Sequence, residues 1–282
     1  MNDMAFPPYR TIEAKRIAGA LGAEITGVDL ASGFGDEVMR DIRQALLDHC
    51  VIFFRDQVLT PEQQIAFARR WGEIYLFPLS PGLPGHPEIL EIKKTPEEEK
   101  NVGNAWHTDQ MFAPKPVMAT ILYAKQVPPY GGDTMWSNQY QAYDTLSDGM
   151  KRLVEGLKTT CSVLDVARNG GGNFNMDAPV NNKTVSHHPL VRTHPETGRR
   201  ALYIGNHARS FEGMTPEESK PLLDYLIGHS TRPENICRFR WSAGTLTVWD
   251  NRCTQHYAIN DYPNETRLMH RVCIAGDTPT FS

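Results

Sequence analysis

From residue 117 to residue 276 the chain is a succession of short β-compatible runs, each cut off by glycine, proline or asparagine. VMATILYA (117–124), DTMWS (133–137), RALYIG (200–205), GTLTVWD (244–250) and RLMHRVCIAG (267–276) are examples. A doubly wound parallel sheet needs helices alternating with its strands. Too few helical segments separate these runs for that. The pattern predicts a mostly β architecture with a few helices packed outside.

The helices show in spacing and caps. In DEVMRDIRQALLDH (36–49), Val38, Ile42 and Leu46 recur at helical spacing. Thr60-Pro61-Glu62-Gln63 combines an N-cap, a proline at the first helical position and a capping-box glutamine. Thr215-Pro216-Glu217-Glu218 repeats the signature. GAEITGV (22–28) and VIFF (51–54) read as strands. Gly170-Gly171-Gly172 lacks a following helix and the lysine of a phosphate loop, so the segment 165–186 reads as a loop and a candidate lid.

Composition closes off several functions. With 40% hydrophobic and 22% charged residues the chain should fold around a core, and no linker divides it, so one domain over 1–282 is expected. A net charge of −4 leaves no electrostatic footprint for nucleic acid. The N-terminus has no apolar signal region, and no run approaches the roughly 18 apolar residues of a membrane span. Five cysteines without a C-x-x-C pair argue against both a disulfide framework and a cysteine-rich zinc site. A cytoplasmic protein with reduced cysteines fits these features.

Three His-x-acid triplets occur: His86-Pro87-Glu88, His107-Thr108-Asp109 and His194-Pro195-Glu196. Proline in the middle removes a ladder hydrogen bond and favours a turn, which disfavours the first and third as strand-borne ligands. On a strand, His107 and Asp109 would share a face, and a second imidazole from a distant strand would complete a two-histidine, one-carboxylate site for Fe(II). His-x-Asp alone is a weak signal, because ten histidines give about one such match by chance. Near the C-terminus His256 follows GTLTVWD, and Arg267 and Arg271, four apart, share a strand face with Met269. Such arginines either meet anions in an interior, pair with acids such as Asp261, or face solvent.

Taken together, HTD at 107–109, GGDT at 131–134, WDNRCTQHYA at 249–258 and RLMHR at 267–271 resemble the taurine dioxygenase/TfdA family of Fe(II)- and 2-oxoglutarate-dependent dioxygenases. The resemblance runs from GAEITGVDL at 22–30 to the last strand. It implies a double-stranded β-helix (jelly roll) core with flanking α-helices. It also implies His107, Asp109 and His256 as iron ligands, and Arg267 with Thr134 as partners of the distal carboxylate of 2-oxoglutarate. O2 would be the oxidant, with succinate and CO2 formed. The carboxylate of Asp109 favours hydroxylation, since related halogenases lack it. Desaturation or alkyl sulfate-ester cleavage on the same iron site, or a non-catalytic jelly-roll binding protein, are the alternatives. A homo-oligomer, dimer or tetramer, is expected.

The substrate positions depart from those of taurine enzymes. Their histidine and tyrosine after a G-E-x motif align with Phe77 and Ser80 of GEIYLFPLS. Their asparagine four residues before the first ligand falls on Gly103, beside Asn104, and a pocket-closing aromatic falls on Ala208. These residues imply a wider, less polar pocket. EGMTPEESKPLL (212–223) is similar to phenoxyalkanoate dioxygenases. In the family an arginine at the position of Arg271 receives the substrate's acidic group, so a small anionic molecule is expected there. Trp106 and Trp249 flank the ligand positions, as pocket walls or as core.

Overall fold

The computed structural model describes residues 9–77, 81–162 and 185–282. The N-terminal part comprises β1 (Glu13–Arg16), β2 (Ala23–Thr26), α1 (Asp36–His49), β3 (Val51–Phe54), α2 (Pro61–Arg69), β4 (Ile74–Tyr75) and β5 (Leu90–Lys94). Then come β6 (Ala119–Gln126), β7 (Thr134–Asn138), α3 (Gln139–Asp144), α4 (Asp148–Val154), β8 (Lys158–Ser162) and β9 (Val185–Pro189). They are followed by β10 (Val191–Thr193), β11 (Arg200–Leu202), β12 (Ala208–Phe211), α5 (Pro216–Ser230), β13 (Ile236–Phe239), β14 (Leu246–Asp250), β15 (Thr254–Ala258) and β16 (Arg267–Ile274).

The large sheet runs β1-β2-β3-β14-β6-β16-β4, with β5 also on β16, and a smaller sheet runs β13-β7-β15. From β13 to β16 each strand passes to the opposite sheet. That alternation gives the jelly-roll core, in which both ends of the β14–β15 turn face one cavity. No helix among the described residues is long and apolar enough to cross a membrane.

Strand alternation divides the core. Ile52, Phe54, Ile121, Val248 and Val272 point to one side of the large sheet, where α1 and α2 cover them with Met39, Ile42, Leu46, Ile65 and Phe67. Val51, Phe53, Leu122, Trp249 and Met269 point to the other side, against Trp136, Cys237 and Phe239 of the smaller sheet. VIFF is wholly buried because both faces of its sheet are covered. α2 and α5 each begin with both halves of a capping box, on Thr60/Gln63 and Thr215/Glu218.

Two features differ from the sequence reading. α3 and α4 were not expected; at six and seven residues they are too short to show a helical period and rest on the caps Asn138 and Ser147. His107 and Asp109 do not lie on a strand. His107 makes a single bridge to His256, and Asp109 lies in a turn whose next residue, Gln110, has φ 57°. The candidate lid, 165–186, lies outside the described residues apart from Val185 and Ser186 of β9.

Candidate active site

The backbone brings two distant imidazoles together. His107 N–H donates to the His256 carbonyl at 3.0 Å and His256 N–H donates back at 2.8 Å, so the rings sit 4.0 Å apart. The Ala105 carbonyl accepts from His107 Nδ1 at 2.7 Å. A carbonyl only accepts, so Nδ1 carries the proton and the Nε2 lone pair faces outward. The turn at Gln110 swings the Asp109 carboxylate towards both rings. Asp109 Oδ1 is 3.8 Å from His107 Nε2 and 3.9 Å from His256 Nε2.

Charge is arranged for a cation. Burial opposes ionisation of Asp109, but His256, Arg271, His107 and the Thr120 hydroxyl outweigh it and hold the carboxyl down at about 2. Burial, and then His107, push the His256 imidazole well below its ordinary value, so it is neutral at physiological pH. One carboxylate and two imidazoles, with ligand atoms within 4.8 Å of one another, make a donor set suited to Fe(II). The residues present fit that ion. His207, buried and pushed down to about 3 by burial and by His107, packs edge-on 6.5 Å from the His107 ring.

A second cluster, His194, Asp250 and Cys253, is a structural tie. Asp250 accepts from Arg252 Nε and Nη2 at 2.9 and 2.7 Å and from His194 Nε2 at 3.0 Å. Its oxygens are taken, and Arg252 would repel a cation. The tie braces the turn that carries His256. Glu196 of the third triplet serves it too, accepting from Arg252 and Arg43, whereas Glu88 of the first pairs with Arg69.

A cleft lined by His107 and His256 opens beside the triad. Ile92, Val102, Leu122, Trp249 and Ala258 form its apolar wall, and Thr134, Arg267 and Arg271 its polar one. Arg267 is 5% exposed, yet its Nε and Nη2 have no hydrogen-bond partner among the described residues. Burial lowers its pKa from the ordinary value. A desolvated guanidinium with idle donors is costly unless an anion meets it. The acid Asp261 is engaged elsewhere, with Arg238 and the Gly132 amide. Trp241 supports this corner: its ring lies 5.6 Å from the Arg267 guanidinium, and its indole N–H donates to Thr134 Oγ1 at 2.9 Å. The Thr134 hydroxyl accepts there and has no acceptor for its own proton among the described residues.

Arg271 lines the same cleft, with Nη1 3.6 Å from Asp109 Oδ1. Gly103 also lines it; at φ +87° it needs no side chain, and an added Cβ would come 3.2 Å from His107 Cε1. Asn104 is exposed, Ala208 packs on the cluster around α5, and Phe77 is half-buried; none of the three lines the cleft among the described residues. Trp249 is a cleft wall, whereas Trp106 packs on Tyr257. Thr120, Trp241 and His207 escaped the sequence reading. Only Thr120 carried a signal, as a polar residue in phase with Leu122 in the buried first six residues of its strand.

The family model described as taurine catabolism dioxygenase TauD, TfdA family, matches residues 13–273. An alpha-ketoglutarate-dependent sulfate ester dioxygenase of Pseudomonas putida is 35% identical, over 97% of this chain and 92% of that protein. An (S)-phenoxypropionate/alpha-ketoglutarate dioxygenase of Sphingobium herbicidovorans is also 35% identical, over 91% and 92%. The crystal structure of a putative alpha-ketoglutarate-dependent taurine dioxygenase from Burkholderia xenovorans superimposes with a TM-score of 0.83 at 39% identity, covering 95% of this chain and 94% of that one. With its fold, its His-Asp-His donor set and these matches, the chain belongs to the TauD/TfdA family of Fe(II)- and 2-oxoglutarate-dependent dioxygenases.

Proposed function

We propose that the enzyme hydroxylates a small anionic organic molecule, of the sulfate ester, sulfonate or aryloxyalkanoate class. His107, Asp109 and His256 would hold Fe(II), which with 2-oxoglutarate and O2 supplies the oxidising chemistry and yields succinate and CO2. Arg267 and the Thr134 hydroxyl receive the distal carboxylate of 2-oxoglutarate; idle donors on a buried cation are what such an anion satisfies. The observation that carries the substrate reading is the second guanidinium, Arg271, in the same cleft. One cosubstrate does not need two distal grips, because residues four apart on a strand are roughly 13 Å apart. The apolar wall of Ile92, Val102 and Leu122 suits a hydrocarbon or aryl body, and Gly103 leaves room beside His107.

Hydroxylation of a carbon bonded to an ester or ether oxygen gives a hemiacetal-type product. That product collapses to a carbonyl compound and releases sulfate or a phenol. The relatives named for sulfate esters and phenoxypropionate support this class.

Arg271→Ala is expected to raise the KM for the anionic substrate about 10- to 100-fold, the equivalent of one charged hydrogen-bond partner. Substrate-independent 2-oxoglutarate decarboxylation should stay near wild type, because Arg267 is untouched. An unchanged KM, measured by succinate formation against substrate concentration, would refute the role of Arg271.

A further inference from the structure

Behind the Asp109 carboxylate lies a chain of hydrogen bonds whose direction is forced from its far end. Trp249 Nε1 donates to Asn251 Oδ1 at 3.0 Å. An indole N–H has no acceptor role, so the Asn251 amide is locked with its oxygen towards Trp249 and its NH2 away. The Asp109 backbone N–H, 3.3 Å from the same oxygen, enforces the same orientation. Asn251 Nδ2 must then donate to Thr120 Oγ1, 2.9 Å away. Having accepted there, Thr120 donates its single proton to Asp109 Oδ2 at 2.7 Å. The Cys273 thiol at 3.8 Å is the competing partner, and a thiol is a weak acceptor beside a carboxylate. Thr120 and Asn251 are 0% and 1% exposed, so both lie away from bulk water.

We infer that Trp249, Asn251 and Thr120 form a positioning relay that keeps Asp109 Oδ2 occupied, so that the carboxylate offers the metal one oxygen, Oδ1, and not two. Oδ1 is the oxygen that faces both histidines. A carboxylate free to rotate would take up a second coordination position, one that 2-oxoglutarate and O2 need. Trp249 has a double hold, since its ring also packs 4.7 Å from that of His256. The inference rests on the triad as the metal site, and none of the three residues touches the metal in this account.

The test is Mn(II) affinity of the purified full chain, without cosubstrate or substrate, alongside thermal unfolding. Thr120→Val keeps the shape and removes the proton; it is expected to raise the Mn(II) Kd about 10- to 100-fold, the usual effect of losing an outer hydrogen bond to a metal ligand. Thr120→Ser should restore near-wild-type affinity. Trp249→Phe keeps a ring against His256 but releases the amide, and should weaken Mn(II) binding about 2- to 10-fold. A folded Thr120→Val protein with wild-type affinity overturns the relay. So does a Thr120→Ser protein as weak as the valine variant, since packing and not the proton would then be at work. If the valine variant does not fold, Trp249→Phe decides, and unchanged affinity there is contrary. His256→Ala, measured in parallel, separates the two claims: Mn(II) binding that survives it refutes the metal site itself, whatever the relay variants do.

Discussion

Replacing Arg267 by alanine should raise the 2-oxoglutarate concentration needed for turnover by roughly 100-fold or more, because a buried carboxylate left without its charged partner costs about 3–5 kcal/mol. The size of the effect follows from where Arg267 sits. It is buried at the start of β16, its Nε and Nη2 find no partner among the described residues, and Trp241 lies beneath it. The variant should fold, since a desolvated cation is removed and no ion pair among the described residues is broken. Titration of 2-oxoglutarate against succinate formation at saturating Fe(II) checks it. A requirement within about threefold of wild type falls well short of even one charged hydrogen bond, and would mean that the distal carboxylate binds elsewhere.

His256→Ala should reduce succinate formation to background while leaving a cooperative unfolding transition. His107, Asp109 and His256 are the three candidate ligands among the described residues, so removing one of them should strip more than the roughly 10- to 100-fold in affinity that an outer contact carries. Stability is little affected because the bridge between residues 107 and 256 is made by backbone groups, which alanine keeps. The neighbouring turn remains tied by Asp250, Arg252 and His194. Metal content and activity of the purified variant check this; full activity would exclude His256 as a ligand.

Much of this was legible in the sequence where local physics decides. The helix of 36–49 and the strand VIFF stand where spacing put them, because an apolar stripe and a run buried on both faces are local signals. Both capping boxes formed because the bonding partners are three residues apart. Arg267 and Arg271 share one cleft, as strand alternation implied.

The approach of His107 to Asp109 was misread. Alternation on a strand was expected to align them, and a turn through a left-handed Gln110 does so instead. A glutamine has no strong preference for that conformation, so nothing local marks it. The relay behind Asp109 joins residues 109, 120, 249 and 251, which meet only once two strands of the large sheet are paired. Asn104 and Ala208 were singled out by alignment with another pocket, not by any physical property of their own. A metal needs fixed donors while a pocket wall is free to change, so alignment alone says less about substrate contacts than about a donor set.

The most direct measurement is succinate formation from 2-oxoglutarate, with Fe(II) and O2, across a panel in which a sulfonate, an alkyl sulfate ester and an aryloxyalkanoate are each set beside a neutral analogue. At least one anion should stimulate succinate well above the substrate-free rate, with its own oxidised product formed in equal amount and its neutral analogue inert. Stimulation by a neutral analogue equal to or greater than that by its anion would contradict the substrate reading; the absence of any Fe(II)- and 2-oxoglutarate-dependent succinate would contradict the assignment as a whole.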